Sequence, residues 1–420
     1  MLVSFPMAPP LPTRQAGLNR LEEFLPRVPA YGRERGYDRP HRPTVSGLSP
    51  WLQRRLISEE EVCAAVLRRF PWAEAEKFVQ EVCWRTYWKG WLEQHPDAWT
   101  RYRAALTRLR AAPLPDGYGR AISGSTGIPG FDDWARQLVT TGWLHNHARM
   151  WFASIWVFTL RLPWELGADF FLSHLLDGDP ASNTLSWRWV AGLHTAGKTY
   201  LARADNVREY SENRYDLSGL LAAAAVPLTE SSPPPLEPLW NPAPPTEASA
   251  ARAGEGARPS GRIGLWLHPD DLSVEQVDLG GVNPESIWAA WPASVDQAMG
   301  WSEAVTRFSQ AALADGAARG AARWDAAVHA GRMEDGIGAA ALDWVRAERI
   351  STVVAIRPTV GPWRDVADHM ERALTQAGVA VVWHRRPWDQ GYFPAARRGF
   401  FSFWSEIAPG LRVRAVNPDR

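Results

Sequence analysis

Cysteine, lysine and long apolar runs are what this 420-residue chain has least of. Two cysteines, Cys63 and Cys83, are too few for a disulfide framework, a zinc finger or a four-thiolate iron–sulfur site, and they read as buried, reduced thiols. No stretch reaches the roughly 18 uninterrupted apolar residues of a membrane-spanning helix. The most hydrophobic one, WFASIWVFTL from Trp151 to Leu160, meets Arg161 at a length suited to a buried helix. The start, MLVSFPMAPPLPTR, has no basic region followed by an apolar one, so no secretory leader is expected and the protein reads as cytoplasmic. Lys77, Lys89 and Lys198 are the only lysines, so nearly all the positive charge is arginine, the better phosphate fork and also what GC-rich coding favours.

Tryptophan, by contrast, is abundant, with 24 in the chain. A hydrophobic content of 45% and a charged content of 22% exclude disorder throughout, and the length suggests two domains. The net charge of zero hides an asymmetry. Residues 1–215 hold 27 Lys and Arg against 22 Asp and Glu, a net +5, and the remainder is −5. The basic half permits contact with a polyanion without demanding it.

Nine prolines between residues 227 and 259 cannot belong to a core, and they predict a linker over residues 217–260. That leaves an N-terminal extension (1–30), a helical domain (31–216) and a smaller α/β domain (261–412). In the helical part, Ser58 before Glu59, Glu60 and Glu61 is a capping-box start. Helical spacing continues over about 73–93, 131–138, 145–160 and 166–176. In the second part RIGLWLH (262–268), TVVAI (352–356) and VAVVW (379–383) read as short buried strands, with helices over 339–348 and 363–377. Strands alternating with helices predict a Rossmann-like parallel sheet.

The segment Gly192-Leu-His-Thr-Ala-Gly197-Lys198-Thr199 satisfies the P-loop pattern, which taken alone would mean an NTPase. The residues before it, Trp187 to Ala191, make a weak strand, and no apolar strand ending in Asp stands out to hold magnesium, so a loop between helices is expected instead. A second constellation is richer. Glu81, Trp84, Arg85 and Trp88 share one helical face; Asn146, Arg149 and Met150 share another; Asp177, Asp179 and Asn183 lie in LLDGDPASNTLSW, with Trp187 one turn beyond Asn183. Each has a bland reading: core tryptophans, a local Glu81–Arg85 pair, an Asp N-cap. Together they put Arg, Asp and Asn among apolar helices, which is costly unless a partner satisfies them.

At these residues the sequence resembles the FAD-binding domain of the DNA photolyase/cryptochrome family. Ser46-Gly-Leu-Ser49-Pro, EVCWRTYW, TGIPGFDDWARQLVTTGWLHNHARM and LLDGDPASNTLSWRWVAG carry the resemblance over about Tyr31 to Arg214. The resemblance implies FAD as cofactor, with Ser46, Leu48 and Ser49 on its phosphates and Tyr31 and Arg85 touching it. It implies an Arg149–Asp177 ion pair beside the flavin ring, Asp179 at the ring's polar edge and Asn183 at the reactive nitrogen. Asn146 stands at a position shared by cofactor and lesion. Trp187 and Trp164 match the inner and middle members of an electron-transfer chain; the outer member, expected near Ala111, is absent. Glu81, Trp84, Asn146, Met150 and Trp189 match positions that hold a flipped cyclobutane pyrimidine dimer.

The activity so implied is blue-light-driven repair of such dimers in UV-damaged DNA by a deoxyribodipyrimidine photo-lyase, with no metal and no membrane. In it Glu81, Asn183, Trp187 and Trp164 serve the electron transfer, and Glu81 hydrogen-bonds the dimer. A cryptochrome-like photoreceptor without repair is the alternative. In the C-terminal half, GLWLHPDDL, residues 352–382 and GFFSFWSEI resemble pieces of the family's α/β antenna domain, placed here after the FAD domain. Whether that half holds an antenna chromophore is left open by the residues.

Overall fold

The computed structural model describes residues 10–40, 44–229, 261–333 and 336–416. The proline-rich stretch 230–260, most of the expected linker, lies outside the described residues. The first half is helical: α1 (Arg14–Phe24), α2 (Val28–Glu34), α3 (Ser49–Gln53), α4 (Glu59–Arg69), α5 (Trp72–Gln94), α6 (Asp97–Ala111), α7 (Tyr118–Ser123), α8 (Pro129–Thr141), α9 (Asn146–Ser154), α10 (Trp164–His174), α11 (Pro180–Val190) and α12 (Ala204–Tyr210). The expected capping box is present: Ser58 Oγ accepts from the Glu61 amide, and the Glu61 carboxylate accepts from the Ser58 amide. The expected helix over 145–160 is α9 followed by one widened π-turn, Ile155–Thr159.

The second half is a five-stranded, wholly parallel sheet in the order β3-β2-β1-β4-β5. Its strands are β1 (Ile263–Trp266), β2 (Ser286–Pro292), β3 (Ala327–Met333), β4 (Thr352–Ile356) and β5 (Ala380–His384). The expected α/β layer is therefore there, with two strands the sequence did not announce. Gly264 in β1 pairs with Ser286 and Val353, and its missing side chain makes room for Trp344, whose ring carbons would lie 2.5 Å from a Cβ at that position. Trp344 stacks on Trp288 at 5.4 Å and donates from its indole to Ser286 Oγ at 2.9 Å, which fastens helix Ile337–Ala347 onto the sheet.

The chain reverses its direction of growth between β1 and β4, the place where parallel sheets usually open a crevice at their C-terminal ends. Here His268 closes that point by hydrogen-bonding the Ile356 carbonyl at 2.8 Å, and the next residues turn to the helical half. Asp271 takes both Arg386 (2.5 and 2.7 Å) and Arg55 (3.3 Å); Arg55 also reaches Asp389 (2.6 and 2.8 Å) and Glu59 (3.3 Å). All five side chains are buried. Burial opposes the charges, yet Asp389, Glu59 and Asp271 raise the Arg55 guanidinium well above its ordinary value. Against the same burial, Arg386 and Arg55 hold the Asp271 carboxyl below its own.

The Gly192–Thr199 segment leaves helix α11, not a strand, and no helix begins again until Ala204. A P-loop needs a strand before it and a helix after it, so the NTPase reading is set aside.

Substitution of Arg55 by Met strands the buried carboxylates of Asp389 and Glu59 and leaves Asp271 with Arg386 alone. The expected loss is about 3–5 kcal/mol of unfolding free energy, read as a lower urea midpoint. A loss below about 1 kcal/mol would mean that water reaches the cluster and screens it.

Candidate functional site

The helical half encloses a cavity of about 450 Å³. Its walls come from α2, the loop into α3, α5, α9 and α11. Each sequence-nominated residue but one lines it: Tyr31, Ser46, Leu48, Ser49, Glu81, Trp84, Arg85, Asn146, Arg149, Met150, Asp177, Asp179, Asn183, Trp187 and Trp189. Trp164 does not. It opens α10, packs against Tyr102 at 5.6 Å and lies under the Arg188 guanidinium at 5.9 Å.

Helix geometry does most of the gathering. In α5, residues 81, 84, 85 and 88 fall on one face by the 3.6-residue repeat. In α11, Asp179 is the N-cap and accepts from the Ser182 amide at 2.6 Å; Asn183 and Trp187 follow on the same face. The bland reading of Asp179 thus holds together with its place in the cavity wall. The expected local Glu81–Arg85 pair does not form. Glu81 pairs with Arg35 of the residue following α2, while Arg85 donates to Gln53 Oε1 at 2.8 Å and stands 3.7 Å from Asp179.

The charges are held in fixed pairs. Arg149 Nη2 donates to both oxygens of Asp177, at 2.9 and 3.1 Å, and its Nε donates to the Leu144 carbonyl at 3.0 Å. Burial alone would push the Asp177 carboxyl up; Arg149, the Ser49 hydroxyl and Arg85 outweigh it and keep the group below its ordinary value. For Asp179 the same opposition is won by Lys89, whose ammonium lies 3.3 Å away, and by Arg85. Glu81 goes the other way: burial pushes its carboxyl up, and Arg35 only partly offsets this. Asn183 Nδ2 donates to the Ala168 carbonyl at 2.7 Å, so Oδ1 is the atom it can offer to the cavity.

Aromatic rings frame the opening. Trp84 stacks on Phe400 of the C-terminal helix Phe400–Val416 at 3.6 Å, and Trp189 stacks on Tyr200 at 5.7 Å. Trp187 is buried beneath, edge-on to Phe171 and Trp156. Arg35, Lys89 and Phe400 are functional neighbours that the sequence reading missed. Arg35 was findable at i+4 from Tyr31, and Lys89 at i+4 from Arg85. Phe400 offered no such signal, since it is brought from the far end of the chain.

Behind Arg149, buried His145 accepts from the His147 amide at 3.2 Å and lies 3.4 Å from Thr44 Oγ1. Burial lowers it from 6.5 to about 4, with His147, Arg149 and Arg214 adding to the effect and Asp38 opposing it. The unfolded chain takes up this proton as pH falls through its ordinary range; the folded chain refuses it until about pH 4. Stability is therefore complete above that range and lost on acidification. Between about pH 7 and about pH 5 the expected loss from this group is about 1–2 kcal/mol. His145→Asn should flatten that part of the stability–pH curve; an unchanged slope would show that His145 titrates normally.

The helical half is similar in sequence to known proteins. Residues 78–251 match the FAD binding domain of DNA photolyase. The chain is 36% identical over 199 residues to the deoxyribodipyrimidine photo-lyase of Streptomyces griseus, covering 44% of this chain and 43% of that one. It is 29% identical over 216 residues to the enzyme of the same name from Alkalihalophilus pseudofirmus, covering 50% and 44%. A bacterial class III photolyase structure from Agrobacterium tumefaciens overlays with a TM-score of 0.41 at 27% identity, over 48% of this chain and 43% of that one. The matched part spans less than half the length of these relatives. Tyr31, Ser46, Leu48 and Ser49 precede residue 78, so they stand outside the family match while lining the same cavity. Over residues 78–251 this chain carries a FAD-binding domain of the DNA photolyase/cryptochrome family, and over about half its length it is a distant relative of the photolyases.

Proposed function

We propose that the protein is a FAD-dependent, light-driven photolyase that splits cyclobutane pyrimidine dimers in DNA. The observation that supports this most is the composition of one cavity: residues suited to a flavin line its buried inner wall, and residues suited to a flipped pyrimidine dimer line its more exposed mouth. The inner wall fits the cofactor because it combines apolar surface from Phe171, Leu175 and Val190 with a fixed Arg149–Asp177 pair, the Asp179 carboxylate and the free Asn183 oxygen.

Bound reduced FAD would supply the electron that light drives onto the dimer. The chain's own residues do the rest. Ser46, Leu48 and Ser49 would hold the cofactor's phosphates, with Tyr31 and Arg85 against it. Arg149 keeps its guanidinium oriented because Asp177 and the Leu144 carbonyl fix it on two sides. Asn183, whose Nδ2 is taken by the Ala168 carbonyl, would offer a neutral acceptor, Oδ1, to the reactive nitrogen. A carboxylate there would add a negative charge next to an electron-rich ring.

At the mouth, Trp84, Met150 and Trp189 offer apolar surface to the lesion, and Asn146 and Glu81 offer polar edges. Arg35 occupies Oε2 of Glu81, so Oε1 is the atom on which a proton, favoured by burial, can be held toward the dimer. On the same reading the α/β half is an antenna-type domain placed after the FAD domain. Its support is the parallel sheet in the order β3-β2-β1-β4-β5.

A photoreceptor without repair is the second reading, and two contacts favour it. Arg35 already takes one oxygen of Glu81, and Phe400 already covers one face of Trp84. The deciding experiment loads the purified protein with FAD, reduces it chemically and illuminates it with dimer-containing DNA. Loss of dimers, with DNA binding that weakens steeply with salt, is the expected result. Intact dimers in a flavin-loaded protein would move the assignment to a photoreceptor, and failure to bind FAD would remove both readings. For the cofactor's orientation, Asn183→Asp should speed reoxidation of the reduced protein in air; an unchanged rate would take Asn183 away from the reactive nitrogen.

A further inference from the structure

The aromatic contacts around Trp187 point to a way out of the pocket that the family resemblance does not supply. Trp187 is buried against the cavity, and Trp156 meets it edge-on at 6.1 Å with an interplanar angle of 88°. Trp156 in turn meets Tyr118 at 6.0 Å, again at 88°. Tyr118 opens α7 and is only half-buried, so this series of rings runs from the cavity wall toward solvent.

The contact looks built rather than incidental. Trp156 sits in the π-turn Ile155–Thr159, a widening that recurs at functional sites. Its indole donates to the Pro163 carbonyl at 2.9 Å, which fixes the ring. Gly167 is the residue between the two indoles. A Cβ there would lie 2.4 Å from Trp187 and 2.9 Å from Trp156 Nε1, so only glycine lets both rings close in.

The alternative exit, through Trp164, is less suited to carrying a hole. The Arg188 guanidinium lies over the Trp164 ring, and its positive charge makes loss of an electron harder. The next ring, Tyr102, is wholly buried and has no bulk water to receive the proton of an oxidised phenol; Asp169 and Arg110 act on it and on Tyr118 alike, so burial is what separates the two tyrosines. Trp156, by contrast, is surrounded by Phe131, Phe152 and Phe170. The indole itself carries no competing cation among these neighbours.

We propose that Trp156 and Tyr118 form the outward end of the electron path that begins at Trp187. The proposal rests on the flavin reading of the cavity. One electron passes from Trp187 to photoexcited, oxidised FAD; Trp156 refills Trp187, and Tyr118 refills Trp156. The Tyr118 phenol gives up its proton to water as its electron leaves. The neutral tyrosyl radical then takes a hydrogen atom from an external thiol, which departs as a thiyl radical, so electrons and protons balance.

The test is flash photolysis of FAD-loaded protein, read by transient absorption and by electron paramagnetic resonance. The wild-type protein should give a long-lived tyrosyl radical, with a yield that falls by more than half in Trp156→Phe and falls less in Trp164→Phe. Tyr118→Phe, which removes only a hydroxyl at a half-exposed position, should abolish the tyrosyl signal and leave a faster-decaying tryptophan radical; it decides the matter if the buried Trp156 variant does not fold. A tyrosyl signal that survives Tyr118→Phe, or a loss in Trp164→Phe as large as that in Trp156→Phe, overturns the path. A wild-type protein that binds FAD and yields no light-driven radical overturns the photoreduction on which the path depends. That outcome is distinct from a radical with a different origin.

Discussion

Charge taken out of water has to be answered by charge, and that requirement fixes how the two halves of this protein meet. Arg55, Glu59, Asp271, Arg386 and Asp389 come from three separate places in the chain, and all are buried. None could be left without its partners at a cost of less than several kcal/mol. Arg54 and Arg55 follow α3 directly, and Leu272 donates from its amide to the Arg54 carbonyl at 3.0 Å. The loop carrying Ser46 to Ser49 is therefore tied through α3 to the segment that follows strand β1. A second line of charge continues inward: Lys89 lies 3.3 Å from Asp179 at the cavity wall, while Asp270 feels Lys89, His268 and Arg54 from the sheet side. Burial still pushes the Asp270 carboxyl up, whereas Lys89 and Arg85 hold the Asp179 carboxyl down against the same burial. The α/β half thus acts on the cavity without lining it, through these charges and through Phe400 packed on Trp84.

Helix α5 is the mechanical counterpart of that network. One of its faces presents Glu81, Trp84, Arg85 and Trp88 to the cavity. Other positions meet the end of the chain: Gly90 lets the Phe393 backbone approach to 2.9 Å of where a Cβ would stand, Thr86 accepts from the Trp388 indole at 3.0 Å, and Tyr87 donates to the Arg398 carbonyl at 2.8 Å. Beyond them Glu93 accepts from Arg364, Arg385 and the Val360 amide. A helix buried on nearly every side cannot show a strong apolar stripe, and its sequence reads instead as a run of aromatic and small residues.

What was legible in the sequence follows from which contacts are local. The Ser58 capping box, the α5 face and the Asp179–Asn183–Trp187 series are all set by spacings of three or four residues, and each appears where that spacing puts it. Strands β1, β4 and β5 were visible as short apolar runs. β2, Ser286–Pro292, was hidden because SIWAAWP lacks the β-branched run that marks a strand, although every residue in it is buried. β3 was hidden for the opposite reason: it is an exposed edge, and its sequence AVHAGRM carries the polar residues such an edge requires. In the site, the Arg35–Glu81 pair spans 46 residues, and the Trp84–Phe400 stack joins the two halves. No periodicity encodes either. Both depend on the packing of α2 and of the C-terminal helix, which only the whole fold decides.

The order of the two halves along the chain is less constraining than it first looks. Tertiary contacts care about where an element lies, not when it is made, provided the connection can reach. Here the sheet's last elements, helix Pro387–Tyr392 and helix Phe400–Val416, return to pack on α4 and α5. The end of the chain is thereby placed against the helical half that began it. The mildly basic first half and the acidic second half then have a physical meaning beyond solubility. Their buried meeting surface is itself a lattice of Arg from both halves against Asp and Glu from both, so the net charges of +5 and −5 are carried mainly by what remains outside it. Because each half gives both signs to that surface, the pairing holds the halves together without cancelling the difference in charge between them.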